Sequence, residues 1–353
     1  MWDGIADTTL VTIFGLLGGM ILGLSARLGR FCTLGAIEDY FYQNSSVRLR
    51  MWGLAIGVAV LGSFTLIGFD LLDASAALYL AIAWNPLASV IGGLMFGYGM
   101  ALAGNCGFGA LARLGGGDLR AFVIVLVMGV SSFIALSGPL AHIRVSIFPT
   151  PPALAPKTTG IAHWLAAQTG LSPLLFGLII GAMIVILAIS SRDFLKNRAN
   201  LVTGTAVGLA IVSGWAGTSW VATHGFAATP VVSHTFSVPL GDTVLYAMTS
   251  SGSSLNFGIG SVIGVLAGAL IGSLIKGHFR WEACDDPREL RRQIIGAALM
   301  GIGAVVALGC TIGQGISAFS LLAFSAPVTF LAIAAGAWIG LRQLITGFAW
   351  ARP

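Results

Sequence analysis

Residues 87–109 read LASVIGGLMFGYGMALAGNCGFG. The run carries no charged side chain, is punctuated by glycines, and ends on a cysteine with Gly104, Gly107 and Gly109 around it. A membrane helix needs roughly 17–25 apolar residues, and residues 87–103 supply them. The glycines that follow predict that this helix breaks at the cysteine.

The rest of the chain repeats the theme. Of 353 residues, 56% are hydrophobic and 9% charged, and the mean hydropathy is +0.93. Soluble domains carry roughly 25% charged residues, and a fold in water has too few polar residues here to cover its exterior. Glycine, at 49 residues, allows close helix approach and broken helices inside a bilayer. The expected fold is all-α: a polytopic helical membrane protein of about nine transmembrane helices, with short re-entrant or broken helices and two diverged internal repeats. The whole chain, 1–353, reads as one integral membrane domain.

Spans fall at 10–28, 51–69, 87–103, 121–138, 173–190, 201–219, 257–275, 293–309 and 327–345. Alternate loops then differ in basic content. Arg144 and Lys157 fall on one side, and the other sixteen of the 18 Lys and Arg fall on the opposite side. The positive-inside rule puts the N-terminus outside (periplasmic) and the C-terminus inside (cytoplasmic). The N-terminus is acidic, at Asp3 and Asp7, and no cleaved signal is expected. Residues 139–172, with Pro139, Pro149, Pro151, Pro152 and Pro156, read as an extended external linker. Residues 220–256, with His224 and His234, are nearly uncharged and are candidates to enter the membrane if buried in protein. Residues 276–292 form a charged loop containing Cys284.

A spaced pattern occurs three times. Gly18-x4-Gly23-x8-Cys32-x2-Gly35 has the spacing of Gly92-x4-Gly97-x8-Cys106-x2-Gly109 and of Gly296-x4-Gly301-x8-Cys310-x2-Gly313. The last two copies share a further glycine seven residues before the cysteine, Gly99 and Gly303. A weaker match relates Phe14–Met20 to Phe176–Ala182, and Gly53-x3-Gly57 to Gly204-x3-Gly208. The chain therefore reads as pseudo-repeat halves 1–140 and 171–353, joined by the Pro-rich linker 141–170. In the second half, Ser191-Arg192-Asp193-Phe194 stands where a cysteine is expected.

Each glycine-bearing span arrives at its cysteine, and a glycine within three residues is expected to break or redirect it. Short apolar segments follow: Thr33 to Phe41, Gly107 to Leu114, and Thr311 to Phe324. Their free N–H groups and positive dipole ends would face the break and suit an anion without a charged side chain. Cysteine adds a soft sulphur with a weak donor. Lone cysteines in membrane helices are usually packing residues, a reading kept for Cys284, but three at equivalent breaks argue for function. The histidines lack ligand spacing, so neither metal nor cofactor is expected. Gly260, Gly264, Gly268 and Gly272 form a stripe explained by helix packing. There is no phosphate-binding loop, and neither nucleic-acid binding nor an enzyme activity is expected.

At these residues the chain resembles the YeeE/YedE family of sulphur-transport membrane proteins. The resemblance rests on Gly29-Arg30-Phe31-Cys32, on Gly92 to Gly97 leading into Ala103-Gly104-Asn105-Cys106-Gly107, and on Leu308-Gly309-Cys310-Thr311-Ile312-Gly313. It implies a bacterial inner-membrane bundle pinched at its centre by short helices, thiosulfate uptake, and contact between the ion and Cys32, Cys106 and Cys310. Asn105 departs from a glycine common at that position. Second-rank contacts are Asn105, Gly107, Gly109, Thr33, Thr311, Gly313 and Gln314. A small TusA-like sulphur carrier would be a separate cytoplasmic partner. Passage is read as non-covalent handover, with Cys106 and Cys310 met before Cys32. Conduction needs binding weak enough to release. The alternatives are another sulphur or selenium species as cargo, a membrane sulfurtransferase using a cysteine persulfide, or a scaffold. Arg144 and Lys157 read as solvated loop charges rather than an anion funnel. Acidic residues lie mainly in loops or near span ends, which favours channel-like or sink-driven movement over proton coupling.

Overall fold

The computed structural model describes residues 6–149, 160–283 and 286–347. Asp3, Pro151, Pro152, Pro156, Lys157 and Cys284, all used above, lie outside the described residues. Among those described, the chain is α-helical and its only β pairing is isolated bridges. In order come α1 (Asp7–Leu28), α2 (Thr33–Tyr42), α3 (Val47–Gly68), α4 (Leu78–Ala81), α5 (Pro86–Ala103) and α6 (Gly107–Leu114). Next are α7 (Leu119–Leu136), α8 (Ala141–Ile147), α9 (Ile161–Thr169), α10 (Pro173–Ile189), α11 (Arg192–Leu195) and α12 (Arg198–His224). The chain closes with α13 (Val238–Thr249), α14 (Phe257–Ile275), α15 (Pro287–Val306), a π-helix at Gly313–Ala318, and α16 (Ser325–Thr346).

Every span expected from the sequence coincides with a helix: α1, α3, α5, α7, α10, α12, α14, α15 and α16. Among the described residues, seven helical stretches are long and apolar enough to cross a membrane by length and composition. Asp7–Tyr42 and Pro86–Leu114 count among them because each joins a long helix to the short one beyond its break. Of the other two spans, α10 has 17 residues. α15 opens on Pro287 with Arg288, Glu289, Arg291 and Arg292 in its first turns, and Asp286 caps it.

Helix directions follow the alternation that nine passes require. A Cβ placed on Gly19 of α1 meets Ser261 of α14, and one on Gly23 meets Val265. The two helices therefore run parallel, as first and seventh passes should. Gly92 of α5 faces Gly303 of α15 while Gly99 faces Gly296, an antiparallel contact of third and eighth passes. Gly53, Gly57 and Gly68 of α3 meet Ala188, Val185 and Leu174 of α10 in descending order, again antiparallel. Gly19, Gly23, Gly92 and Gly99 leave carbonyl oxygens and amides of the facing helix where a side chain would sit, so backbones touch there. The Gly260–Gly272 stripe serves this packing: Gly260, Gly264 and Gly268 lie on the carbonyls of Thr12, Leu16 and Met20.

One loop departs from its expected character, and another is buried in protein as its reading allowed. The linker at 139–172 is not simply extended, because α8 and α9 occupy part of it. Arg144 in α8 donates to the carbonyls of Ala135 at 3.0 Å and Leu136 at 3.4 Å, capping the end of α7. The polar stretch between α12 and α13 turns inward. Ser233, His234, Phe236 and Ser237 are buried there, with Ser233 and Ser317 hydroxyls satisfying backbone carbonyls around it.

Candidate functional site

The three cysteines occupy one local geometry. Each is the N-cap of the helical segment that follows it. The sulphur of Cys32 accepts the Gly35 N–H at 3.5 Å, Cys106 that of Gly109 at 3.4 Å, and Cys310 that of Gly313 at 3.5 Å. A capping side chain normally supplies oxygen for this role; here a thiol does it three times. The glycine three residues on is thus the third residue of the new helix, and it does not make the break.

The break lies two residues before each cysteine. Arg30, Gly104 and Leu308 have φ of +57°, +78° and +57°, the left-handed region in which a chain leaves one helix before starting another. Only the second copy places glycine there. Arg and Leu adopt this conformation at a cost of about 1–2 kcal/mol, which marks the turn as constrained by its surroundings. At the third copy the constraint is visible. Gln314 Nε2 donates to the carbonyls of Ala307 at 3.0 Å and Leu308 at 3.1 Å, and its Oε1 accepts from the Ser325 hydroxyl at 3.1 Å. Gln314 therefore spends its polar atoms on the turn. Beyond Cys310 the helical run 311–320 is wound as a π-helix at Gly313–Ala318, a form that concentrates at functional sites.

Cys106 and Cys310 are buried and Cys32 is half-buried. The polar groups acting on the Cys106 thiol are Cys32, Thr311 and Cys310, so the three copies converge on one place. Cys310 has two further contacts: the Phe236 N–H at 3.2 Å and the Thr235 hydroxyl at 3.6 Å. Phe236 packs on Phe108, two residues past Cys106, with ring centroids 5.3 Å apart. Thr235 and Phe236 lie in the 220–256 stretch whose burial the sequence allowed, but nothing in its Ser/Thr/His-rich composition singles out these two residues.

Around the cysteines sit buried polar atoms without hydrogen-bond partners: Thr33 Oγ1, Thr311 Oγ1, Trp52 Nε1 and both amide atoms of Asn105. Thr33 and Thr311 directly follow their cysteines, Asn105 directly precedes one, and Trp52 stacks on Phe31 at 4.7 Å. An unsatisfied buried polar group costs about 1–3 kcal/mol. Several together describe a place prepared for a polar guest. Gly107, by contrast, is closed in by Met128 and the Phe236 carbonyl. Gly109 and Gly313 lie under the sulphurs they donate to.

Two chambers approach this waist from opposite ends of the bundle. One, of about 440 Å³, is lined by Arg27, Arg30, Arg48, Arg113 and Lys276 and reaches Cys32 and Asn105. The other, of about 570 Å³, is largely apolar and reaches Leu308, Gly309, Tyr79 and Thr235 beside Cys310; Asp242 is the charged residue in its wall. Among the described residues no group of three or more His, Cys, Asp and Glu is placed to hold a metal ion.

A sequence model described as sulphur transport matches residues 28–339. The thiosulfate transporter TsuA of Spirochaeta thermophila is 26% identical over 92% of this chain and 96% of its own length. The TsuA thiosulfate transporter of Escherichia coli K12 is 26% identical over 94% of this chain and 91% of its own. The family match covers Cys32, Cys106 and Cys310, and the chain belongs to the sulphur-transport (YeeE/YedE) family.

Proposed function

We propose that this protein takes up thiosulfate across the bacterial inner membrane by passing it non-covalently along Cys310, Cys106 and Cys32. The observation that carries the reading is the threefold recurrence of one device, a thiol capping a helix start, at the waist between two chambers. Each sulphur already accepts a backbone N–H, so its own S–H is free to turn toward a guest. Thiosulfate offers a soft terminal sulphur to such donors and three oxygens to Thr33, Thr311, Trp52 and Asn105. Among the described residues no cation acts on the Cys106 thiol, and weak successive sites favour release over trapping.

The positive-inside rule makes the basic chamber cytoplasmic and the chamber beside Cys310 periplasmic. The N-terminus is then periplasmic and the C-terminus cytoplasmic. The ion meets Cys310 first, Cys106 next and Cys32 last. Handover needs no bond to form or break, and we assign no catalytic residue. A separate TusA-like carrier receiving sulphur at the cytoplasmic mouth is consistent with this order. The two halves contribute copies of the motif to one waist, 1–140 supplying Cys32 and Cys106 and 171–353 supplying Cys310.

Thiosulfate uptake into proteoliposomes, with and without a pH gradient, tests the function. Uptake is expected without the gradient. Absence of uptake under both conditions overturns the reading, and a persulfide found on a cysteine by mass spectrometry after exposure to thiosulfate replaces handover with sulphur transfer.

A further inference from the structure

The basic chamber holds more positive charge than its architecture uses. Arg27, Arg30, Arg48, Arg113 and Lys276 line it, against Glu38 in the wall. Arg48 is paired with Asp39 at 3.1 Å. Arg27 Nε donates to the Ser273 hydroxyl at 2.6 Å. Lys276 caps the end of α1 by donating to the carbonyls of Arg27 and Leu28 at 3.1 and 2.8 Å. The carboxylates that act on Arg27, Asp118 and Glu282, are themselves held by Arg120 at 3.2 and 3.4 Å.

The Arg30 and Arg113 guanidinium groups have no hydrogen bond or ion pair among the described residues. Arg113 moreover stands close enough to Arg27 to repel it, and the fold keeps Arg30 in the left-handed region. Guanidinium groups turned toward one cavity with little carboxylate between them are a liability unless an anion joins them. At the roof, Asn105 is 2% exposed and both its amide atoms lack partners, which adds a neutral donor above the cations. Planar forks on a tetrahedral oxyanion give paired charge-assisted hydrogen bonds that chloride cannot return.

We propose that this chamber is a binding site for small sulphur oxyanion dianions, sulfate as well as thiosulfate, formed by Arg27, Arg30, Arg113 and Asn105 and independent of the thiols. It rests on the transport reading only in becoming the last station before release. There, sulfate on the same side competes with departing thiosulfate and slows uptake. Both arginines without partners are exposed, so the affinity is modest and falls as ionic strength rises.

The test is calorimetric titration of sodium sulfate into the purified full-length protein at fixed ionic strength. The wild type and the Cys32→Ala/Cys106→Ala/Cys310→Ala variant are expected to bind sulfate with the same Kd within threefold. Arg30→Asn/Arg113→Gln is expected to weaken binding at least tenfold, asparagine being chosen because it tolerates positive φ. Arg113→Gln alone, at an exposed position, is expected to weaken it at least threefold if the double variant fails to fold. No sulfate binding by the wild type, or an unchanged Kd in the arginine variant that folds, overturns the proposal. Sulfate binding by a chain that takes up no thiosulfate keeps the site and removes the cargo; uptake of thiosulfate without sulfate binding does the reverse.

Discussion

The backbone N–H of Phe236 donates to the sulphur of Cys310 at 3.2 Å, across 74 positions of sequence. This contact fixes the Cys310 sulphur between the buried loop after α12 and its own helix start. The second neighbour of the Cys106 sulphur is the Thr311 side chain, and Cys32 opens on the basic chamber. The three thiols are therefore unequal. Cys106→Ala and Cys310→Ala are expected to lower thiosulfate-dependent growth at least tenfold, because each removes one of the two buried soft donors in the relay. Cys32→Ala is expected to lower it less, since nearby cations can still receive the ion. Wild-type growth of all three variants sinks the cysteine reading.

A second expectation concerns the breaks themselves. Gly104 has φ of +78° and nothing within 4 Å of a Cβ placed there, so Gly104→Ala tests the backbone alone. It is expected to destabilise the protein by about 1 kcal/mol. Leu308→Gly tests the same conformation in reverse and is expected to be neutral or mildly stabilising. A thermal melt in detergent reads both, and a Gly104→Ala variant as stable as wild type contradicts the shared left-handed turn.

How much of this was legible in the sequence follows from which residues carry which feature. The nine helices were legible because lipid demands uninterrupted apolar runs, and the waist was legible because rare cysteines recur in register. The break was misplaced by several residues. Gly35, Gly109 and Gly313 are conspicuous, whereas Arg30 and Leu308 are poor candidates for positive φ and hold it only through tertiary contacts. Gln314 looked like a substrate contact because a polar residue beside a cysteine motif does; its commitment to Ala307 and Leu308 is a matter of three-dimensional reach. The near-absence of charge at 220–256 allowed burial of that stretch, but the contact of Phe236 with Cys310 was out of sight for the same reason.

The reciprocal contact of Gly99 with Gly296 and of Gly92 with Gly303 predicts strong sensitivity at this seam. A Cβ on Gly99 lies 2.5 Å from the Gly296 carbonyl oxygen, and one on Gly296 lies 2.6 Å from that of Gly99. Neither obstacle is a flexible side chain. Gly99→Val and Gly296→Val are each expected to cost more than the roughly 1–3 kcal/mol of ordinary overpacking, read as loss of folded protein on size-exclusion chromatography. Near-wild-type yield of both variants rules out the close seam.

Asp242 gives a pH dependence. It lies on α13, outside the seven spans, in the wall of the chamber beside Cys310. Burial pushes its carboxyl above the usual range, against a hydrogen bond with Asn256 that lowers it. Above the raised pKa a carboxylate repels the incoming anion, and below it the group is neutral. Thiosulfate stays a dianion throughout, so initial uptake is expected to rise as external pH falls through that pKa. Asp242→Asn is expected to flatten the profile at its acidic level, and an unchanged profile in that variant removes Asp242 from the effect.

The last expectation sets stability against function at the two threonines that follow Cys32 and Cys310. Their hydroxyls are buried and unpartnered, a state that weighs against folding and persists only where something else requires it. Valine matches threonine in shape and removes the orphan oxygen. Thr33→Val and Thr311→Val are thus expected to raise stability by about 1 kcal/mol or more each, while lowering thiosulfate uptake several-fold. The opposing signs separate this account from a packing role, in which a snug isosteric replacement leaves uptake alone. Thr33 is the sharper test, because the Thr311 hydroxyl also acts on the Cys106 thiol and its loss disturbs a second station. A Thr33→Val protein that melts higher and transports as well as wild type shows the orphan hydroxyl to be idle.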